Sequence, residues 1–196
     1  NTYKGSTYIQ LSVPGRHNVC NAVAAAAVVL EFGASIEDIR LGLMQMAPVK
    51  GRLNLRQAAD NVRIIDDTYN ANVESTKAAV ELLASYPGRT ILILGDMAEL
   101  GEEARSYHQE IGEHALKHDI DDVLTLGVLS QSTSNVVEEK GYHFSSREQL
   151  LAQLKQLLSG DSRQITILVK GSRSARMELV VAEIEKWLSQ NREELA

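Results

Sequence analysis

The chain has 196 residues, of which 44% are hydrophobic and 23% charged, and its formal net charge is −6 at pH 7. This composition is typical of a globular protein, and the acidic balance argues against binding to nucleic acid or anionic membranes, which require a basic face. The sequence contains no apolar run of the ~18–20 residues that a membrane span needs. The single cysteine, Cys20, excludes an internal disulfide and fits a reducing, cytoplasmic environment. Its alanine-rich, apolar surroundings predict a small core residue.

The first fifty residues predict one strand and two helices. Alternating apolar residues indicate a strand at 7–13, which a Pro-Gly turn follows. Asn18 is predicted to cap a helix over 19–32, which Gly33 ends. Ser35 is predicted to cap a second helix that ends near residue 43.

Residues 47–52 contain a proline and a glycine and predict a linker or hinge, so we expect two parts, 1–50 and 51–196. The second part alternates strands and helices, which predicts an α/β, Rossmann-like, doubly wound and mostly parallel sheet of about six strands with helices on both faces. Its first two strands, close in sequence, predict an antiparallel hairpin. The strands are expected at 53–58, 62–66, 90–94, 122–126, 142–144 and 164–169. The helices are expected at 73–85, 103–118, 130–139, 146–158 and 175–190.

Four of these strands end in polar or glycine-rich loops, at residues 66–72, 95–101, 127–130 and 170–173. Ligands of an open parallel sheet bind beyond the carboxyl ends of its strands. We therefore expect the four loops to meet at one site.

The loop after the second strand offers carboxylates and amides. Asp66 or Asp67 can accept both hydrogen bonds of a ribose diol, while the other caps the following turn or helix. Asn70 and Asn72 offer donors and acceptors to a zwitterionic or amide ligand, or serve turn chemistry instead.

The other loops carry charges. Lys170, Ser172 and Arg173 surround a glycine and suit a phosphate or a carboxylate terminus, although solvated loop charges are the alternative. Asp96 and Glu99 can bind an ammonium group, pair with a cation or cap a helix, and the residues alone leave these options open.

The histidines indicate no metal site. His114 and His118 are spaced i, i+4 near Glu110 and Glu113, but no third ligand is recognisable, so we expect a solvated helix face. His108 follows the glycine-rich loop 95–101 and is expected to orient it. The sequence also contains neither GxxxxGK[ST] nor GxGxxG, so these residues do not form a P-loop.

Five segments in order resemble the Mur ligase superfamily, and this resemblance spans residues 15–178. The segments are Gly15-Arg16-His17-Asn18-Val19-Cys20-Asn21-Ala22, Gly51-Arg52, Ile65-Asp66-Asp67-Thr68-Tyr69-Asn70-Ala71-Asn72, Leu94-Gly95-Asp96-Met97-Ala98-Glu99-Leu100-Gly101 and Val169-Lys170-Gly171-Ser172-Arg173. The last three point to the members that add D-alanyl-D-alanine to UDP-N-acetylmuramoyl-tripeptide. The resemblance implies that residues 1–50 end the central ATPase domain and that 51–196 form the C-terminal domain.

The resemblance also implies a reaction and a set of binding residues. The reaction is ATP- and Mg²⁺-dependent amide formation through an acyl phosphate in peptidoglycan precursor synthesis. The residues implied to bind ATP are Asn18, Asn21, Arg52 and Asp67. The residues implied to bind the substrates are Tyr69, Asn70, Asn72, Asp96, Lys170, Ser172 and Arg173. Because the P-loop and the Mg²⁺ ligands of the family lie outside these residues, we expect the chain alone to be catalytically silent.

Two alternatives remain open at this point. One is another ligase of the superfamily, such as an amino-acid-adding enzyme or a folylpolyglutamate synthetase-like enzyme. The other is a non-catalytic Rossmann-like nucleotide-binding domain.

Overall fold

A computed structural model describes residues 1–47 and 49–191, apart from the side chain of His17. The chain divides into two compact units, Asn1–Val49 and Lys50–Ala196. Pro48 of the predicted linker lies outside the described residues.

The first unit contains helix α1 (Arg16–Glu31) and helix α2 (Ile36–Met44). Ser35 caps α2 as predicted, in a reciprocal capping box with Asp38. Gly33 ends α1 as predicted, because its φ of 92° is a left-handed conformation that glycine adopts without strain.

Three expectations for this unit are wrong. Asn18 does not cap α1, because the helix begins two residues earlier after Gly15, and the Asn18 amide donates to the Pro14 carbonyl (2.7 Å). Residues 7–13 form no strand, since the described part of this unit offers them no strand to pair with, and Tyr8 is 99% exposed. Cys20 is exposed rather than buried, on a helix whose described residues bury only Leu30.

The second unit is built on one sheet of six described strands, in the order β1-β2-β6-β3-β4-β5. β1 pairs with β2 in the predicted antiparallel hairpin, and every other neighbouring pair is parallel. The strands are β1 (Asn54–Ala59), β2 (Val62–Asp67), β3 (Arg89–Gly95), β4 (Asp122–Leu126), β5 (Gly141–Phe144) and β6 (Ile165–Lys170). The predicted fold class is therefore confirmed.

Helices cover both faces of this sheet. Apolar side chains of α3 and α4 pack on one face and those of α6 and α7 on the other. The central strands consequently bury both of their faces, as their nearly continuous apolar sequences predict. The helices are α3 (Val73–Ala84), α4 (Ala104–Lys117), α5 (Gln131–Val136), α6 (Arg147–Leu158) and α7 (Glu178–Gln190). None of the helices in the described residues combines the length and apolar character needed to cross a membrane.

Two helices are shorter than predicted. α7 begins at Glu178 rather than near residue 175, because a short 3-10 helix (Arg173–Ala175) precedes it and Arg176 is left-handed (φ 52°). α5 ends at Val136 and continues as a 3-10 turn (Glu138–Lys140).

The sheet order places the strand-end loops together. β6 lies between β2 and β3, so Lys170 pairs in register with Asp67 on one side and with Leu94 on the other. β4 follows β3 in parallel, so the four predicted loops leave the same edge of the sheet.

Candidate functional site

A buried ion pair lies at the centre of this edge. The ammonium of Lys170, whose side chain is 2% exposed, donates to Asp67 Oδ2 (2.5 Å) and to the Asn70 carbonyl (2.9 Å). The Leu53 amide donates to Asp67 Oδ1 (3.2 Å). A buried ammonium requires such compensation, so Lys170 holds the ends of β2 and the following loop in place.

The two adjacent aspartates have different partners. Asp66 is buried, and its Oδ1 accepts from the Thr68 hydroxyl (2.7 Å) and the Thr68 amide (3.3 Å). Arg56 donates to its Oδ2 (3.2 Å). Asp66 therefore closes the turn after β2, whereas Asp67 accepts two hydrogen bonds from the described residues, fewer than a carboxylate can accept.

The segment before β1 packs on this loop. The Tyr69 amide donates to the Gly51 carbonyl (2.9 Å), and the Arg52 guanidinium carbon lies 4.3 Å from the centre of the Tyr69 ring. This is cation–π geometry. The site thus presents Arg52 and Tyr69 as one stacked surface at the start of the unit.

Asp96, at the end of β3, organises the loop after β4. Its carboxylate accepts from three consecutive amides, those of Val128 (3.0 Å), Leu129 (3.0 Å) and Ser130 (2.8 Å). Gly127, with φ 138°, permits this approach, because a Cβ there would overlap the carboxylate. The charge of Asp96 is consequently directed at the protein backbone.

Ser172 joins the loop after β6 to the loop after β3. Its amide (3.0 Å) and its hydroxyl (2.7 Å) both donate to the Asp96 carbonyl. Arg173, the next residue, is 69% exposed and pairs with Glu178 (3.1 Å). Of the two predicted cations, Arg173 is therefore the one that faces solvent.

His108 orients the loop 95–101, as predicted. Its Nε2 accepts from the Met97 amide (3.2 Å), so the ring proton lies on Nδ1. Burial lowers the pKa of His108 below its usual value, and the neutral ring is the form that this hydrogen bond requires.

Three of the loops line an open cleft of about 590 Å³. Its lining residues are Tyr69, Asn70, Ala71, Asn72, Ala98, Glu99, Leu100, Ser172, Arg173 and Ser174. Glu99 is exposed there in a left-handed conformation (φ 63°), which a non-glycine residue adopts rarely and mainly at turns and ligand sites. The cleft thus combines amides, hydroxyls, a carboxylate and a guanidinium.

The two asparagines of the cleft are exposed. The Asn72 Oδ1 caps α3 by accepting from the Ser75 amide (2.8 Å), which is the turn chemistry that the sequence left open. The backbone carbonyl of Asn70 accepts a hydrogen bond from the Lys170 ammonium. Among the described residues, the amide NH₂ of Asn72 and the side chain of Asn70 make no hydrogen bond, and both residues are exposed at the cleft.

The structure thus brings most of the predicted site residues of the second unit to one edge of the sheet. Asp67 and Lys170 pair at this edge, and the cleft is lined by Tyr69, Asn70, Asn72, Ser172 and Arg173. Asn18 and Asn21 belong to the first unit, where Asn18 is half-buried and Asn21 exposed. The sequence alone left the role of Glu99 open, and Ser174 was not identified, since its one signal was its position directly after the loop 170–173.

The fold is that of an α/β protein with a Rossmann-like sheet, and the candidate site lies at the carboxyl ends of its strands. Residues 51–173 match the family described as Mur ligase, glutamate ligase domain. The chain therefore belongs to the Mur ligase family.

Three relatives resemble nearly the whole chain. The UDP-N-acetylmuramoyl-tripeptide–D-alanyl-D-alanine ligase of Escherichia coli (strain K12) is 46% identical over 94% of this chain and 40% of its own length. The crystal structure of MurF from Acinetobacter baumannii is 34% identical, with a TM-score of 0.88 over 94% of this chain and 41% of that one. MurF ligase from Thermotoga maritima, solved in complex with ADP, is 28% identical, with a TM-score of 0.77 over 93% of this chain and 41% of that one. The chain thus spans about 40% of the length of the curated relative.

Proposed function

We propose that this chain is the C-terminal part of an ATP-dependent ligase that adds D-alanyl-D-alanine to UDP-N-acetylmuramoyl-tripeptide in the cytoplasm. The observation that carries the proposal is the cleft of about 590 Å³, where three loops of family-matching sequence converge. The named relatives at 46% and 34% identity support this ligase over an amino-acid-adding member of the family or a non-catalytic domain.

The proposed reaction forms an amide at the expense of ATP. A carboxylate oxygen of the tripeptide attacks the γ-phosphorus, the bond to ADP breaks, and an acyl phosphate results. The amine of D-alanyl-D-alanine then attacks the carbonyl carbon and loses its proton, and inorganic phosphate leaves. Positioning and charge compensation dominate such chemistry, so the contribution of this chain is to bind and orient.

Asn18, Asn21, Arg52 and Asp67 are proposed to contact ATP. Asp67 suits the ribose because two acceptor positions of its carboxylate remain after the bonds from Leu53 and Lys170. Arg52 is exposed on the Tyr69 ring and suits the nucleotide. Mg²⁺ would compensate phosphate charge, and we assign it no ligand among the described residues.

The cleft is proposed to take the zwitterionic dipeptide. Arg173 suits its carboxylate and Glu99 its amine, while Asn70 and Asn72 suit its peptide group. Tyr69 and Ser172 line the same cleft.

Lys170 and Asp96 are proposed to have roles different from those that the resemblance implies. Both charges are directed at protein groups, Lys170 at Asp67 and Asp96 at the amides of 128–130. In the proposal they therefore position the binding loops rather than contact the substrates.

An assay of the full-length protein tests this function. With ATP, Mg²⁺ and UDP-N-acetylmuramoyl-tripeptide, D-alanyl-D-alanine should release phosphate and yield the amide product by mass spectrometry. Single amino acids should not. Preference for a single amino acid would overturn the proposal, and so would turnover by the 196-residue chain alone.

A pair of variants tests the cleft. Glu99→Gln should raise the KM for the dipeptide about tenfold, because a charge-assisted hydrogen bond contributes about 1.5–3 kcal/mol. Glu102→Gln removes an exposed carboxylate that does not line the cleft and should leave this KM unchanged. An unchanged KM in Glu99→Gln would show that the amine binds elsewhere.

A further inference from the structure

Three potential metal ligands meet on the surface between α3 and α4. Glu81 lies on α3, and His114 and His118 lie at the end of α4. Each offers one ligand atom, and these atoms all lie within 4.8 Å of one another. The sequence predicted a solvated helix face here because no third ligand was recognisable; the fold supplies Glu81 from a different helix.

One distance within the cluster matches the ligand spacing of a coordination site. His114 Nε2 lies 3.4 Å from Glu81 Oε1. Two ligands of a tetrahedral Zn²⁺ ion at about 2.0–2.1 Å are separated by roughly 3.3 Å. The His114 and His118 ring centres are 4.5 Å apart, so both imidazoles lie beside the Glu81 carboxylate.

His114 Nε2 is the most informative atom of the cluster. It is buried, and although Glu81 Oε1 lies 3.4 Å away, it makes no hydrogen bond of normal geometry among the described residues. A buried polar atom without a partner is costly and calls for an explanation. A metal ion between His114 and Glu81 would satisfy it.

The surrounding charges permit a cation at this place. Lys77 is the lysine of α3, and it is paired with Glu110 and lies 3.8 Å from Glu74. Lys117 lies beside His118 on α4 and is exposed, so solvent screens it.

We propose that Glu81, His114 and His118 form an accessory site for a divalent transition metal, with Zn²⁺ as its natural occupant. Two imidazoles and a carboxylate suit Zn²⁺, whereas Mg²⁺ prefers an all-oxygen octahedral set. The site lies near the ends of α3 and α4 that point away from the cleft, because both helices begin at loops on the cleft side of the sheet. Bound Zn²⁺ would cross-link the two helices and stabilise the unit.

Calorimetric titration with Zn²⁺ tests the proposal on the chain purified without a histidine tag. A Cys20→Ser background removes the exposed thiol as a competing ligand. One saturable site is expected, together with a rise in melting temperature on adding Zn²⁺ and no effect of equimolar Mg²⁺. Absence of saturable Zn²⁺ binding would overturn the proposal.

Three variants identify the ligands. His118→Ala, His114→Gln and Glu81→Gln should each weaken Zn²⁺ binding by at least about tenfold. Glu113→Gln is the matched control, since it removes an exposed carboxylate of α4 outside the cluster and should bind as the parent does.

Circular dichroism checks that the three variants are folded in the absence of metal. Glu81 is 57% exposed, so Glu81→Gln keeps the test valid if a histidine variant unfolds. Parent-like affinity in folded Glu81→Gln and His118→Ala would place the metal elsewhere and refute the site.

Discussion

The ammonium of Lys170 lies 2.5 Å from Asp67 Oδ2, and the two residues are register partners on neighbouring parallel strands. Asp67, the residue proposed to bind the ribose, is therefore oriented by a buried cation that lies about a hundred residues later in the chain. This pairing makes the site sensitive to changes on β6 that would never touch a ligand.

Lys170→Met should destabilise the protein by about 3–5 kcal/mol, because it leaves the mostly buried Asp67 carboxylate without its cation. Combining it with Asp67→Asn should recover part of this loss, since the uncompensated charge is then gone. Urea unfolding of the two single variants and the double variant measures the coupling. Strictly additive losses would show that the two side chains are not energetically coupled.

Asp96→Asn should lower the free energy of unfolding by about 2–3 kcal/mol. The reason is that a charged acceptor of three amides is replaced by a neutral group that also carries two donors. The amides of Leu129 and Ser130 should lose hydrogen-exchange protection first. Glu102→Gln serves as the control, being an exposed carboxylate of the neighbouring segment. Unchanged protection at 129 and 130 would contradict the assigned role.

The stability that the Asp161 carboxylate contributes should be lost in acid. Hydrogen bonds from Arg163, and then from Arg89, hold the pKa of the Asp161 carboxyl well below its usual range. A carboxyl whose pKa is lower in the folded protein stabilises the fold at pH values above its pKa in the unfolded chain, which is about 3.9. This stabilisation is lost as the pH falls from there towards the pKa in the folded protein.

Asp161→Asn should accordingly lower the free energy of unfolding by on the order of 2 kcal/mol at neutral pH. Below pH ~4 this free energy should decline less steeply than in the parent. Chemical unfolding at a series of pH values measures both effects. Asp60→Asn changes an exposed carboxylate and should follow the parent curve. An acid limb in Asp161→Asn as steep as that of the parent would assign the effect to other carboxyls.

His108 should contribute a second pH dependence, nearer neutrality. Because burial lowers the pKa of His108, the unfolded chain takes up a proton below about pH 6.5 before the folded protein does, and stability falls as the pH drops. His108→Gln and His108→Phe should both reduce this slope.

The two His108 variants should differ at pH 7. His108→Phe leaves the Met97 amide without an acceptor and should cost about 1–3 kcal/mol, whereas the Gln carbonyl can replace Nε2. Thermal unfolding at pH 7 and pH 5.5 separates the two effects. Equal stability of the two variants at pH 7 would show that the hydrogen bond to Met97 contributes little.

The strands of the second unit were predictable to within one or two residues, because their apolar runs are separated by clear turn and helix signals. The strand at 7–13 failed, since alternation alone does not provide a pairing partner. The early start predicted for α7 failed because the left-handed Arg176 interrupts a segment that is otherwise suited to a helix.

The site was predictable in its residues but not in their pairing. Loop composition indicated that Asp67 and Lys170 belong to one site, yet both were expected to face a ligand. Their mutual contact depends on β6 lying between β2 and β3, and the order of strands in a sheet follows from long-range packing that local sequence patterns do not encode. The same holds for Glu81, which only the packing of α3 beside α4 brings to the histidines.

Asp96 holds the loop after β4 through its carboxylate and the loop after β6 through its carbonyl. The lengths of these three loops are therefore not independent, because an insertion in one would pull on the residue that anchors the other two. Changes of substrate preference in this scaffold are consequently expected to occur by side-chain replacement in the cleft, with loop lengths changing together or not at all.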